Sequence, residues 1–147
     1  MKLTGIHVFT IDALLGDVVD VGMTPTGRRR VIPVVGGTVR DGLDGEVLPG
    51  GADWNLERVD GSFELWARYE LRLADGSVVS VTNTAVHAPA PQLPILTAPR
   101  FDVGDEGPVE LRTGAYVGLL FPRLEEHRVR VEIHRVEIHG APEAADA

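Results

Sequence analysis

Cysteine is absent from the 147-residue chain, which excludes disulfide bonds, a thiolate nucleophile and thiolate metal ligands. Long apolar runs are absent too. No segment approaches the ~18 apolar residues of a membrane-spanning helix, and the N-terminus lacks the apolar stretch of a signal peptide. Since a reducing cytosol suits a chain without disulfides, we expect a cytoplasmic protein with no membrane partner.

Positive charge is scarce as well: 14 lysines and arginines stand against 22 aspartates and glutamates, which gives a formal net charge of −8. Nucleic-acid binding depends largely on neutralising phosphates, so a nucleic-acid partner is not expected. The sequence has no phosphate-binding glycine loop, nucleophile elbow, or zinc or dinucleotide motif, and no cofactor is expected. His127, His134 and His139 do not share one face of a strand, so no metal site is expected either.

Helical periodicity is also missing, whereas glycine is abundant, with 17 residues. Asp60-Gly61 and Asp75-Gly76 are typical of hairpin turns, and the runs 62–73 and 77–86 around the second turn are regular strands. Eight or nine antiparallel strands of this kind form a sandwich or a barrel, and Gly36-Gly37 favours a curled sheet. We predict an all-β fold, a single closed antiparallel β-barrel with little or no helix.

The length of the chain is typical of one domain. We assign residues 1–139 to the barrel and residues 140–147, which are small and acidic, to a disordered tail. In the last strand, 128–139, the apolar residues change parity near His134 or Arg135, which predicts a β-bulge there. A homodimer is plausible because edge strands need covering.

The segment 45–54 breaks the patterns around it and ends in Asp53 and Trp54. Its Pro49-Gly50-Gly51 run predicts either a tight turn or a close approach of two backbones. A turn that delivers a carboxylate and an indole together is a candidate site, with Asp53 as a catalytic acid or base and Trp54 as a ligand contact. The alternative is an ordinary hairpin with a capping aspartate and a core tryptophan.

The strand 62–73 has two different faces. One is apolar, and the other carries Glu64, Trp66 and Arg68. If the polar face lines the barrel lumen, it offers a carboxylate base, an aromatic wall and an anion-binding guanidinium, which Asn83 on the partner strand could join. The alternative is that this face is solvated, with Glu64 and Arg68 forming an ion pair.

Two further candidates lie near strand ends. His87 precedes a proline-rich loop and could be a general acid or base at the barrel mouth, or an ordinary loop histidine. Arg28 belongs to a run of three arginines that could hold a phosphate or carboxylate. The alternative for this run is a solvated edge that discourages aggregation.

A run of motifs between residues 27 and 83 resembles the bacterial domain-of-unknown-function 3237 family. The matching residues are Gly27-Arg28-Arg29, Ile32-Pro33, Gly36-Gly37-Thr38, Gly45-Glu46-Val47-Leu48-Pro49-Gly50-Gly51-Ala52-Asp53-Trp54, Asp60-Gly61, Ala67-Arg68-Tyr69, Leu71, Asp75-Gly76 and Asn83. The resemblance implies a small closed antiparallel barrel, loosely lipocalin-like, with a cavity. It implies no agreed activity, but it favours an inward orientation for Asp53, Glu64, Arg68 and Asn83.

The sequence departs from the family at two places. Trp66 stands where the family often has an acid, and Tyr116 is followed by Val117-Gly118-Leu119-Leu120 where the family often has a tryptophan and an asparagine. If these positions line the pocket, as we expect for Trp66 and Tyr116, the pocket is drier and more aromatic. The ligand would then be larger and more apolar than the family's usual one.

Three functions fit these observations. The first is cofactor-free acid/base rearrangement of an organic metabolite, of the isomerase, cyclase or lyase type, in which Asp53 or Glu64 transfers protons and Arg68 holds a carboxylate or enolate. The second is a carrier or sensor that uses the same lumen without chemistry. The third is an interaction module that docks through its proline-rich loop and the arginines 28–30. The sequence favours the two cavity functions over the interaction module. It hardly favours catalysis over a carrier or sensor role.

Overall fold

The structure, a computed structural model, describes residues 1–140. These residues contain ten β-strands and two short 3₁₀ segments, Val109–Arg112 and Leu124–Glu126. The strands are β1 (Lys2–Leu15), β2 (Val19–Thr24), β3 (Gly27–Arg40), β4 (Gly45–Val47), β5 (Gly51–Arg58), β6 (Phe63–Leu73), β7 (Val78–His87), β8 (Ile95–Val103), β9 (Tyr116–Arg123) and β10 (Arg128–His139). The all-β prediction is confirmed, although the strand number exceeds the predicted eight or nine.

All ten strands form one antiparallel sheet whose pairings close into a ring of hydrogen bonds. Strands β1, β10, β9, β8, β7 and β6 follow one another in the sheet. Strand β6 then pairs with both β4 and β5, these two pair with β3, and β3 returns to β1. Strand β2 pairs with β3 and lies off this ring. Each strand of the ring therefore has one face toward a shared interior.

Side-chain alternation divides β6 between the interior and the solvent. Ala67, Tyr69 and Leu71 are buried, whereas Trp66 and Arg68, the two neighbours of Ala67 in the chain, are exposed. The interior is filled largely by apolar side chains, and its bulkiest fully buried members come from four strands. These are Phe9, Ile11, Leu71, Val79, Val81 and Ile133. Removing such side chains from water is the main stabilising contribution to the fold.

The Pro-Gly-Gly run combines the two predicted explanations, one at each glycine. Gly50 has a φ of +110°, which a residue with a side chain rarely adopts. A Cβ on Gly51 would lie 2.3 Å from the Arg68 carbonyl oxygen and 2.5 Å from the Tyr69 Cβ. Gly50 therefore makes the turn, and Gly51 lets β5 approach β6 closely. Two residues later, Asp53 pairs with Ala67.

A bulge occurs in this part of the sheet, but it lies in β1 and not in β10. The register between β1 and β10 shifts between His7 and Phe9, which leaves Val8 as the extra residue. Strand β10 itself keeps one register with β9, so the prediction of a bulge in β10 is wrong. Because β10 has no extra residue, the apolar side chains before and after His134 point to opposite faces of the sheet. Ile138 accordingly is 64% exposed.

The remaining expectations about the chain concern its termini and membranes. No helix within residues 1–140 has the length and apolar character needed to cross a membrane. The predicted disordered tail falls, apart from Gly140, outside the described residues.

Gly51→Ala is expected to lower the free energy of unfolding by roughly 2 kcal/mol or more, because the new methyl group must push β5 away from β6. Gly104→Ala is the matched control, since a Cβ at that position meets nothing within 4 Å. Urea denaturation of the two variants measures the difference. Equal stability of both would contradict the close approach at Gly51.

Candidate functional site

A cavity of about 270 Å³ lies inside the ring of strands. It is much larger than the ~30 Å³ share of one water molecule and therefore is not an ordinary packing gap. Its size lies near the lower end of small-molecule pockets. Most of its lining is apolar, and the polar lining residues are Asp53, Asn55, Tyr69, Asn83 and His87.

Asp53 occupies a break in the β5–β6 ladder. The paired residues include Asp53 with Ala67 and Leu56 with Glu64, but not the two positions between them. There the Asp53 Oδ1 accepts a hydrogen bond from the Trp66 backbone N–H, at 3.0 Å. The Asn55 side-chain amide donates to the other carboxylate oxygen at 3.3 Å. The carboxylate is thus held by the sheet itself and not by a mobile loop.

Burial raises the pKa of the Asp53 carboxyl above its ordinary value. Hydrogen bonds from Trp66 and Asn55 oppose this shift without cancelling it, as do the positive charge of Arg30 and that of His87 whenever its imidazole is protonated. Burial also raises the pKa of the Tyr69 hydroxyl, which therefore stays protonated. An acid with a raised pKa in an apolar cavity can exchange protons nearer to neutral pH than an exposed aspartate.

Asn83 and Asp53 lie on either side of Ala67. Register places the three residues in one row across β5, β6 and β7, and all three line the cavity. Asn83 is only 2% exposed, and its Oδ1 is buried without a hydrogen-bond partner among residues 1–140. A buried polar atom left unpaired is uncommon in proteins and calls for an explanation.

His87 also belongs to the polar part of the cavity lining. Its Nδ1 lies 2.8 Å from the Ala88 carbonyl oxygen. Because a carbonyl can only accept, Nδ1 carries the hydrogen, and the neutral imidazole keeps a free lone pair on Nε2. The ring stacks on Phe63 with centroids 5.3 Å apart. The backbone and the phenyl ring together fix the orientation of this imidazole.

The expectation that the polar face of β6 points inward is wrong. Glu64 lies on the outer face, where it accepts a 2.7 Å hydrogen bond from Arg58, and Arg68 is exposed. Trp66 is 43% exposed. The apolar face of β6 faces the interior of the ring instead. Burying Tyr69 and Leu71 is favourable, whereas burying Glu64 and Arg68 would be costly. The alternative Glu64–Arg68 ion pair is not formed either, since Glu64 pairs with Arg58.

Three other candidates lie away from the cavity. Trp54 is on the outer face, edge-on to Trp66 at 5.7 Å. Arg28 forms an exposed ion pair with Asp20. Tyr116 is buried, but its hydroxyl donates to the Glu110 carbonyl at 3.1 Å and it lines no part of the cavity.

The sequence interpretation missed Asn55, Tyr69 and Arg30. Asn55 lies two residues from Asp53 and shares its face, so alternation along β5 is the signal that could have found it. Of the three consecutive arginines, Arg30 is the one beside the site. It faces Asn55 across the sheet, and its guanidinium carbon lies 5.7 Å from the Phe63 ring centroid. Alternation alone could not choose among the three.

Metal ligation has no visible basis in the described part of the chain. Residues 1–140 include no group of three or more histidines, aspartates or glutamates arranged to hold a metal ion. What the cavity does contain is one carboxyl group, one imidazole, one phenol and two carboxamides in an otherwise apolar wall. Such groups can exchange protons and hydrogen-bond a small molecule.

Asp53→Asn is expected to stabilise the fold at pH 7. Since the pKa of Asp53 is raised, the folded state binds the proton more tightly than the unfolded chain. The contribution of Asp53 to stability is therefore lost as the pH rises from the ordinary aspartate value through the raised one. Asparagine avoids this loss, so the free energy of unfolding should rise by about 1 kcal/mol at pH 7. Below about pH 4 the gain should vanish.

Asp60→Asn is the matched control for this measurement, because hydrogen bonds from Ser62 lower the pKa of Asp60. Its replacement should lower stability at pH 7, which is the opposite sign. Urea titrations at both pH values give the comparison. A loss of stability in Asp53→Asn at pH 7 would contradict the burial argument.

Comparison with known proteins places the chain in a family. A family model described as a protein of unknown function, DUF3237, matches residues 3–136. A UPF0311 protein of Bradyrhizobium diazoefficiens is 35% identical over 145 residues, which cover 88% of this chain and 94% of that protein.

Two solved structures share the fold. A conserved protein of unknown function from Rhodopseudomonas palustris is 34% identical, with a TM-score of 0.83 over 93% of this chain and 99% of that one. A protein from Acinetobacter baumannii described as β-barrel-like has a TM-score of 0.82 over 93% of this chain and 98% of that one, at 19% identity, which shows the fold alone. The chain belongs to the DUF3237 family of proteins of unknown function.

Proposed function

We propose that this protein binds a small organic molecule in its cavity and catalyses a cofactor-free acid/base rearrangement of it. The observation that carries the proposal is the Asp53 carboxyl, whose pKa is raised by burial in an apolar cavity that His87 also lines. Proton donors and acceptors work best when their pKa lies near the working pH. A half-buried aspartic acid that forms no ion pair with any residue between 1 and 140 suits that requirement.

The ring of strands is, in this proposal, a closed β-barrel whose lumen is the binding site. The strand pairings return to β1 without a gap, and closure would leave the ring itself without an edge. The relative from Acinetobacter baumannii carries a barrel-like description. A homodimer and a cytoplasmic location stay predictions.

Two groups divide the chemistry. Asp53 is held in place by hydrogen bonds from Trp66 and Asn55, and the Nε2 of neutral His87 is free to accept a proton. One group removes a proton from the substrate and the other returns one at a different atom. An isomerisation, a ring closure or an elimination of this type needs no change in oxidation state. Glu64 and Arg68 take no part, because they lie on the outer face.

A non-catalytic carrier or sensor is the second candidate. It is favoured by the two hydrogen bonds that the Asp53 oxygens already accept, which make the carboxyl group a fixed polar contact for a ligand. It is also favoured by the mostly apolar lining, which suits binding by shape and burial. Both candidates use the same cavity and differ in whether a bound molecule is changed.

Hydrogen exchange at carbon distinguishes the two candidates. Small ketones and hydroxyketones that raise the melting temperature of the protein are first selected as ligands. Each is then incubated with the protein in D₂O, and deuterium incorporation next to the carbonyl is followed by NMR. Wild type should accelerate this exchange, and Asp53→Asn should slow it by at least about 100-fold.

Glu64→Gln and Arg68→Gln serve as controls on the outer face and should keep exchange rates close to wild type. His87→Gln should lower the rate as Asp53→Asn does. If selected ligands bind but wild type exchanges them no faster than Asp53→Asn, the protein is a carrier and the catalytic proposal fails.

A further inference from the structure

The side chain of Arg30 differs from those of the two arginines before it. Arg28 is paired with Asp20, and Arg29 donates a hydrogen bond to the Trp54 carbonyl oxygen at 3.2 Å. Arg30 is half-buried, yet its guanidinium forms no ion pair or hydrogen bond with any residue between 1 and 140. A group that always carries its charge and is rich in N–H donors normally has a partner when it leaves bulk water.

The outer end of this guanidinium is open to a ligand. Its Nε is enclosed and unbonded. The two terminal nitrogens have no partner within the described residues either, but they are not enclosed. They carry most of the N–H donors of the group. A ligand atom that accepts hydrogen bonds can therefore reach them.

Arg30 lies at the rim of the cavity. It shares a face of β3 with Ile32 and Val34, which line the cavity, and it pairs with Asn55, another lining residue. Its guanidinium carbon is 5.7 Å from the centroid of the Phe63 ring. Because Phe63 belongs to β6, on the far side of β5, the side chain reaches across the inner face of the sheet. It ends beside the cavity lining without being part of the wall.

The acidic side chains on the same face do not compensate the charge of Arg30. Glu57 follows Asn55 on this face of β5, and Asp53 precedes it, but neither forms an ion pair with Arg30 in the part of the chain that the structure describes. Burial raises the pKa of Asp53, and the charge of Arg30 is the weakest of the effects that oppose this rise. The positive charge at the rim is therefore available to an anion.

A carboxylate is the anion that fits this place best. Its two oxygens can accept parallel N–H bonds from the edge of a guanidinium. One arginine balances one negative charge, whereas a phosphate dianion would keep a second charge beside a lining without lysine or arginine. Arg30 and Asp53 are diagonal neighbours across β3 and β5, a relation in which Cα atoms are about 7–8 Å apart. A short chain of carbon atoms spans that distance.

We propose that Arg30 binds the carboxylate of an organic acid whose apolar remainder occupies the cavity. The inference rests on the proposed function only in taking the cavity as the binding site, and it adds the class of substrate. The guanidinium holds the carboxylate at the rim, so a carbon a few bonds away lies within reach of the Asp53 carboxyl. Arg30 thus determines which molecules bind and which end of them enters the cavity.

Three acids, each compared with its own primary amide, test this on the wild-type protein: butanoate, 4-oxopentanoate and 3-phenylpropanoate. Each amide has the size of its acid but no charge. At low ionic strength, at least one acid should bind about tenfold or more tightly than its amide. Dissociation constants come from NMR titration of the protein amides. Equal affinity for acid and amide in all three pairs, or no binding of any acid, overturns the proposal. Tighter binding of 3-phenylpropylphosphonate than of 3-phenylpropanoate overturns the carboxylate class.

Arg30→Gln tests the assignment to this residue. The variant should bind acid and amide with affinities within about twofold of each other, and its affinity for the amide should stay close to that of wild type. Arg30→Lys keeps the charge but loses the planar fork, so it should keep part of the preference for the acid. A preference that survives in Arg30→Gln contradicts the assignment. Arg30→Met gives the same comparison if the glutamine variant does not fold, because methionine keeps the apolar stem.

Arg29→Gln is the matched control, because it removes the same charge from a residue whose side chain points to the other face of β3. It should keep the preference for the acid. An equal loss in both variants would show that the acid responds only to overall charge, which overturns the proposal. The outcome is separable from that of the exchange experiment. Exchange that depends on Asp53 without a preference for acids would refute this inference alone, and the preference without exchange would refute catalysis alone.

Discussion

The hydrogen bond from the Trp66 backbone to the Asp53 carboxylate is the interaction on which the site depends. It takes the place of a ladder bond between β5 and β6, so the sheet that builds the fold also fixes the acid. The close approach of the two strands at Gly51, two residues earlier, brings Asp53 opposite Ala67. Fold and site therefore share the same few residues, and a change to one alters the other.

The polar groups of the cavity lower the stability of the fold, and the packed apolar core offsets this loss. Asp53 is buried against its tendency to ionise, and Asn83 has an acceptor without a partner. Both features lower the stability of the fold. The apolar interior around Phe9, Leu71 and Ile133 supplies the opposing contribution. Locally unfavourable interactions of this kind are typical of sites that bind or react with a ligand.

The sequence could predict the strands better than their orientation. Period-two alternation identified two faces of β6, but alternation does not say which face is enclosed. A polar face can line a lumen or meet the solvent, and in β6 it meets the solvent, since the buried positions are Ala67, Tyr69 and Leu71. The family resemblance favoured the same incorrect orientation for Glu64 and Arg68. A simple comparison of apolar area on the two faces favours the observed arrangement.

The backbone of the segment around Pro49 could be predicted more reliably, because proline and glycine determine which backbone angles are allowed. Proline and two glycines indicated either a turn or a close approach, and the structure shows one at each glycine. The aspartate delivered by this segment lines the cavity, and its catalytic role stays a prediction. Arg30 could not be found in the same way, since its importance depends on the register between β3 and β5.

The central claim is that Asp53 is an acid enclosed in a cavity that ligands enter. An NMR titration that follows the Asp53 carboxyl carbon tests this directly, with and without one of the ketones selected for the exchange experiment. We predict a midpoint above the ordinary aspartate value of about 3.9 and a shift of this signal when the ketone binds. A midpoint at or below that value, unchanged by ligand, would contradict the account.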